Sequence, residues 1–518
     1  TQTMHSSRLR NSLVLAAWLL FFLPSVLAEP TAKTIGQTLL AALCFSPLLM
    51  LRPLQALTLL LLTLLGVGNL IHISFFGTLM DEFFLATALR TTSAETAEFL
   101  PTVPVSAWVS VALWILACGL AGRYLWRTLP IVRQESRWLR RVWQAAGGFW
   151  LLVLVYTLVQ QLNTNTFIRK AKSLYPLHVV RAVLRQQEIA DGLFQPPVLP
   201  DIPVDSQAQV DTVVVILGES ATSQRWSLLG YQGAPTNAPL ASVPGIAATT
   251  VLAQGWNTAA ALPYMLTGMS ALDSTARRAP SFLDLAQHAG YKTFAFSNSR
   301  FFSLHEDFFS YALRRASAVY QKVGNGDLDE VLTRSLRTAL ADPAPRKLIV
   351  LHTYGSHPQL QERTPSSYRA VADAYDNNTH YSSHLLAQWI GLLEQASSPH
   401  RSALLLYTSD HGVLLPPCAD DYRHGAGLSS LEVPMLVWAN PVTHAQHAPV
   451  LPIFAQAPQA DGPGQAPEHS NALLAETAMR AVGYGALLEQ ADWPSSANPG
   501  LNGIAWATLR QRNACTLQ

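Results

Sequence analysis

The chain has 518 residues, a length for roughly two or three domains at about 150 residues each. Only 13% of residues are charged and 49% are hydrophobic, far from the ~25% charge of an ordinary soluble domain, which excludes a disordered protein and argues against a wholly soluble one. A balance of 35 Lys+Arg against 33 Asp+Glu gives no case for a nucleic-acid binder, and four cysteines without a CxxC pair exclude both a disulfide-dense scaffold and thiolate zinc sites.

Apolar runs lie at 12–28, 35–51, 53–75, 105–122 and 142–162. Each has the ~17–25 residues a helix needs to cross a bilayer core, so residues 1–162 are predicted to form a five-helix transmembrane bundle. Arg52 and Pro53 separate the second and third runs and read as a tight hairpin turn, because Pro cannot continue the helical ladder. Arg8, Arg10, Arg52, Arg123, Arg127, Arg133, Arg137, Arg140 and Arg141 occupy alternate connections. The opposite loop, 76–104, carries Asp81, Glu82, Glu95 and Glu98 with only Arg90. The positive-inside bias then places the N-terminus in the cytoplasm and everything after residue 162 outside it. Val26-Leu27-Ala28 before Glu29, after a basic start, also fits a cleavable signal peptide. A retained first span is preferred, and the sidedness is the same either way.

Residues 163–205 turn polar, with Arg169, Lys170, Lys172, Arg181 and Arg185, and end in the proline-rich LFQPPVLPDIPVDS. They read as a linker with an amphipathic helix at the membrane surface, or equally as a solvated connecting helix. From 206 to 518 the pattern changes to continuous apolar strands at 211–217, 291–296, 346–354, 402–409 and 433–439. Helical candidates at 280–289, 327–341 and 379–396 lie between them. Unbroken apolarity suits strands covered on both faces, hence an α/β domain with a mostly parallel sheet covered by helices. The stretch 443–470 reads as a long loop.

In such a sheet, ligands bind beyond the carboxyl ends of the strands. Gly218-Glu219-Ser220, His352 through His357, and Asp410-His411-Gly412 with His424 follow three of the apolar runs. Imidazole and carboxylate are zinc donors, and one or two zinc ions there could polarise a phosphoryl group. Taken singly, each residue has a blander reading: Glu219 as a helix cap, Asp-His-Gly as a turn, His352 as a packed core histidine. His380 and His384 share a helical face without an HExxH glutamate and are assigned to the surface. Spacing leaves the nucleophile open among Ser220, Thr222, Ser223 and Thr258.

Five spans followed by VVVILGES, NTAAALPYM, LHTYGSH, YTSDHG and RHG resemble, in order and over nearly the whole chain, the phosphoethanolamine transferases. These are inner-membrane enzymes with an alkaline-phosphatase/sulfatase-like catalytic domain, and they include the mobile colistin-resistance enzymes. The resemblance implies that Glu219, Thr258, Asp410 and His411 bind zinc and that Thr258 is the nucleophile. It implies that His357 and His424 bind a second metal or the transferred phosphate, and that Asn298 lies near the substrate. Departures are Gln254 and Tyr264 where relatives often carry a cysteine pair, which leaves that loop to be held by packing, and Val413 where a glutamate is usual. Arg300 is the nearest stand-in for the family's substrate-binding lysine. Cys44 and Cys118 fall within spans, whereas Cys418 and Cys515 share the oxidising side and could pair.

The expected reaction moves phosphoethanolamine from phosphatidylethanolamine to Thr258, releasing diacylglycerol, and then to a lipopolysaccharide acceptor in lipid A or core. Such a modification gives polymyxin resistance. The expected setting is a monomer in the bacterial inner membrane with its catalytic domain in the periplasm. Alternatives are a phosphoglycerol transferase or hydrolase of the same superfamily, or a non-catalytic glycan-binding membrane protein.

Overall fold

The structure, a computed structural model, describes residues 2–81, 84–85, 88, 93–135, 137–159, 175–184, 196–272, 279–299, 308–397, 399–419, 422–447, 467–490, 496–497, 499–501, 504–509 and 515. The chain forms two compact units, Thr1–Leu89 with Val103–Glu188, and Arg90–Thr102 with Ile189–Gln518.

The first unit is helical: α1 Gln2–Leu20, α2 Leu23–Ala28, α3 Ala32–Phe45, α4 Arg52–Phe76, α5 Val105–Glu135 and α6 Arg137–Val159. Among the described residues, three stretches are long and apolar enough to cross a membrane: Ala32–Met50, Arg52–Phe76 and Val105–Val132. The predicted 12–28 run is not one rod. It breaks at the fully buried Phe21 and Phe22, and Pro24 sits in the first turn of α2, where its missing N–H costs nothing. The turn expected at Arg52-Pro53 is present, with Leu51 extended and Pro53 again in a first turn. On α4 the polarity of a soluble helix is inverted. Leu57, Leu60, Leu61 and Leu64 are exposed while Gln55, Asn69 and His72 are buried, an arrangement suited to a hydrocarbon solvent.

Residues 175–184 of the predicted linker pack into this unit. Tyr175 is fully buried, its backbone N–H donates to Ser25 Oγ at 3.0 Å, and its hydroxyl bonds the Leu62 carbonyl. His178 lies 3.0 Å from Asn69 Oδ1. The rest of the predicted helix falls outside the described residues.

In the second unit, besides a short two-stranded ribbon of Gly500–Leu501 and Ile504–Ala505, the main strands are β1 Thr212–Gly218, β2 Ile246–Leu252, β3 Lys292–Ser297, β4 Val319–Lys322, β5 Lys347–His352, β6 Ala403–Ser409 and β7 Glu432–Ala439. They form a seven-stranded sheet ordered β2-β7-β6-β1-β5-β3-β4. β1 pairs parallel with β5 and β6, β3 pairs parallel with β4 and β5, and β7 pairs antiparallel with both β6 and β2. Helices α7 Thr258–Thr267, α8 Phe282–His288, α9 Val331–Leu340, α10 Ala374–Ala396 and α11 Leu473–Ala481 cover the two faces. Val213, Val215 and Leu217 point into a core shared with Leu262, Phe282 and Leu474 of α7, α8 and α11. Val214 and Ile216 point into the opposite core with Leu336 of α9 and Leu385 and Trp389 of α10. The continuous apolar runs are thereby explained, since alternate residues of one strand feed two cores. Each fully buried aliphatic side chain contributes about 1.5–3 kcal/mol.

Candidate active site

The three central strands end level with one another. Leu217 of β1 is in register with His352 of β5 and Thr408 of β6, and Gly218 with Ser409. The next residues, Glu219 and Asp410, therefore emerge side by side, with the Asp410 N–H bonded to the Gly218 carbonyl at 3.1 Å. Both carboxylates are almost wholly buried.

Thr258 reaches the same point from a helix end. Asn257 caps α7 by accepting the Ala260 N–H at 3.0 Å, leaving Thr258 as the first helical residue. Its Oγ1 donates to Glu219 Oε2 at 2.9 Å. Free N–H groups at a helix start favour an anion beside this hydroxyl.

Glu219 Oε1 accepts Ser220 Oγ at 2.6 Å and lies 3.4 Å from His411 Nε2. Asp410 Oδ1 accepts the N–H groups of His411 at 2.7 Å and Ser220 at 3.2 Å. His411 Nδ1 lies 2.8 Å from the Gly412 carbonyl, which makes Nδ1 the protonated nitrogen and leaves a lone pair on Nε2. The His424 ring packs edge-on to His411 at 4.8 Å between centroids. Ligand atoms of Glu219, His411 and His424 all lie within 4.8 Å of one another.

Burial, and then the neighbouring Asp410 charge, hold the Glu219 carboxyl well above the usual carboxylate range. Burial, and then His411, push His424 down to about 3, so its imidazole is neutral at physiological pH. Asp410 Oδ2, His411 Nε2 and His424 Nε2 are buried without hydrogen-bond partners among the described residues. Two converging buried carboxylates beside two imidazole lone pairs are costly without a cation, and this donor set fits zinc.

Of the residues named from sequence, Glu219, Thr258, Asp410, His411 and His424 thus converge. His357 stacks on Tyr354 at 4.5 Å, with its ring 6.2 Å from His424. Asn298 is fully buried, and its amide donates to the Asp327 carbonyl at 2.7 Å and Asp329 Oδ1 at 2.8 Å. His380 and His384 flank Tyr368. Arg300 lies outside the described residues.

Several contributors carried no local signal. Asp329 accepts the N–H groups of Tyr354 at 2.7 Å and Gly355 at 2.8 Å, fixing the loop beside Glu219. Asn471 donates to the Ser409 and Asp410 carbonyls at 3.2 and 3.0 Å. Gln254 donates to the Met269 carbonyl at 2.9 Å and accepts the Ala271 N–H at 2.7 Å, so the Thr258 segment is held by an amide clamp as well as by packing. Val413 is buried with Leu360, Tyr375 and Leu415, a core role. Cys418 and Cys515 are disulfide-bonded, with Cα atoms 5.1 Å apart.

Residues 211–481 match the sulfatase family. Among curated proteins, YhbX of Escherichia coli (strain K12) is 33% identical over 247 residues, 45% of this chain and 44% of that protein. The phosphoethanolamine transferase EptA of Helicobacter pylori is 24% identical over 420 residues, 73% of this chain and 74% of that one. The chain spans less than half the length of the first curated relatives it matches. Its fold is also that of the integral membrane protein lipooligosaccharide phosphoethanolamine transferase A from Neisseria meningitidis. The two agree with a TM-score of 0.59 at 19% identity, over 91% of this chain and 95% of that one. With an alkaline-phosphatase-like α/β domain and a family match over more than half of its residues, the chain belongs to the sulfatase family.

Proposed function

We propose that the protein is a five-span inner-membrane enzyme. Its periplasmic domain transfers phosphoethanolamine from phosphatidylethanolamine to a lipopolysaccharide acceptor, with zinc and a phospho-threonine intermediate. The observation that carries this reading is the Thr258 hydroxyl donating to Glu219 Oε2 at 2.9 Å, at the edge of a buried cluster of zinc donors.

Glu219, Asp410, His411 and His424 would hold the metal, which when bound lowers the pKa of a neighbouring hydroxyl and offsets phosphoryl charge. Thr258 Oγ1 attacks phosphorus as its proton passes toward Glu219, forming the Oγ1–P bond and breaking the bond to the diacylglycerol oxygen. The start of α7 favours the charge that develops on the phosphoryl oxygens. His424, neutral at physiological pH, suits lone-pair donation, which leaves His357 to give a proton to the leaving oxygen. An acceptor hydroxyl or phosphate then displaces Thr258 and takes the group. Anchoring to the membrane keeps the site beside a donor confined to the leaflet. The relatives named as phosphoethanolamine transferases support the choice of headgroup.

Intact-mass analysis of the full chain in detergent after incubation with phosphatidylethanolamine tests this. Wild type is expected to gain one phosphoethanolamine group, and Thr258→Ala none. A glycerol-phosphate adduct from phosphatidylglycerol, with none from phosphatidylethanolamine, overturns the donor assignment.

A further inference from the structure

Ser220 has a backbone φ of 58°, the left-handed region that a residue with a Cβ enters only under strain. In this conformation its N–H reaches Asp410 Oδ1 at 3.2 Å while its hydroxyl reaches Glu219 Oε1 at 2.6 Å. One strained residue thus touches both carboxylates of the metal-binding cluster.

From outside, the turn is held by Ser409 Oγ, which accepts the Ala221 N–H at 2.9 Å, and by one phenol. Tyr375 Oη donates to the Ser220 carbonyl at 2.6 Å and accepts the Thr222 N–H at 2.9 Å, bracketing the turn on either side of Ala221. The phenol is itself fixed. Tyr375 is fully buried against Leu360, Val413 and Leu415, and its ring lies 5.0 Å from that of Tyr422, whose hydroxyl bonds Asp373. Asp373 caps α10 by accepting the N–H groups of Tyr375 at 2.8 Å and Asp376 at 3.0 Å. Arg225 pairs with Asp373 at 3.3 Å and Asp376 at 3.0 Å.

We infer that Tyr375 is a positioning residue for the metal centre: by holding Ser220 left-handed it aims Glu219 and Asp410 at the cation. Without the phenol, Ser220 relaxes toward negative φ and turns its N–H away from Asp410, and both carboxylates lose a fixed neighbour. The inference rests on the zinc reading above, but on neither the donor lipid nor the acceptor.

The test uses the full chain in detergent and measures zinc affinity by chelator competition. Tyr375→Phe keeps the ring and removes both hydrogen bonds. Loss of such an outer partner is expected to weaken zinc binding by about 10–100-fold, with a lower kcat and an unchanged donor KM. Ser220→Gly supplies a residue that adopts positive φ without strain. In that background Tyr375→Phe is expected to cost several-fold less, a rescue that a general loss of packing would not give. The double variant also remains measurable if Tyr375→Phe alone folds poorly. Tyr381→Phe, another buried phenol of α10, is the control and is expected to match wild type. Zinc affinity of Tyr375→Phe equal to wild type, or an undiminished loss in the Ser220→Gly background, overturns the inference while leaving the zinc reading intact. Wild type that takes up no zinc overturns both.

Discussion

Gly355 lies so close to Glu219 that a Cβ built on it would meet the Glu219 carbonyl oxygen at 2.5 Å. Its φ of +51° also disfavours any other residue, and the next N–H, of Ser356, bonds that same carbonyl at 2.9 Å. Gly355→Ala must therefore push the Glu219 turn away or break this bond. We expect the variant to lose at least tenfold in group transfer and about 1–3 kcal/mol in stability. Turnover and thermal unfolding check this, and wild-type behaviour in both would show that the loop yields without moving Glu219.

Gln254 makes its two bonds with opposite ends of one amide, so the charge and shape of its replacements separate the contributions. Gln254→Leu leaves the Ala271 N–H without its acceptor, at about 1–3 kcal/mol. Gln254→Glu keeps that acceptor but sets a carboxylate oxygen against the Met269 carbonyl. Both are expected to slow Thr258 modification more than they raise donor KM, as read from single-turnover mass analysis.

His352 is fully buried beside Ser297 Oγ, and burial pushes its pKa from the ordinary 6.5 down to about 4. Its folded pKa lies below the unfolded one, so between those values the unfolded chain binds more protons. Stability is complete above about pH 6.5 and declines as pH falls toward 4, by about 3 kcal/mol from this residue. In His352→Gln the same acid titration followed by thermal unfolding is expected to fall less steeply.

The Cys418–Cys515 bond joins residues 97 apart in sequence and pins the loop between His411 and His424 to the chain's last residues. Cross-links of this span stabilise by about 2–4 kcal/mol. Cys418→Ser is expected to unfold at lower temperature than wild type, and reductant is expected to lower the wild-type Tm toward that of the variant. Equal melting of all samples would count against a stabilising role.

The parts of this molecule legible in its sequence are those written in one local pattern. β1, β5 and β6 are unbroken apolar runs because both faces are buried, and Glu219, Asp410 and His411 stand immediately after β1 and β6. β2 and β4 are edge strands, partly exposed and richer in polar residues, so their runs are not continuous. α7 is Ala-rich and interrupted by Pro263, and gives little helical periodicity. Asp329 holds residues 25 and 26 positions further on, and Gln254 holds residues 15 and 17 positions away, with side chains common in any loop. Such partnerships exist only once the sheet has brought distant segments together. The paired carboxylates could be listed from sequence, but their mutual burial beside two imidazoles could not.

Because β6, β1 and β5 finish in common register, the sheet works as a ruler for the chemistry at its rim. A slip of one position by β6 would carry Asp410 about 3.3 Å along the strand and swing it to the other face. Sliding is therefore closed as a route to new activity, which leaves the loops beyond the strand ends as the places where this scaffold can vary.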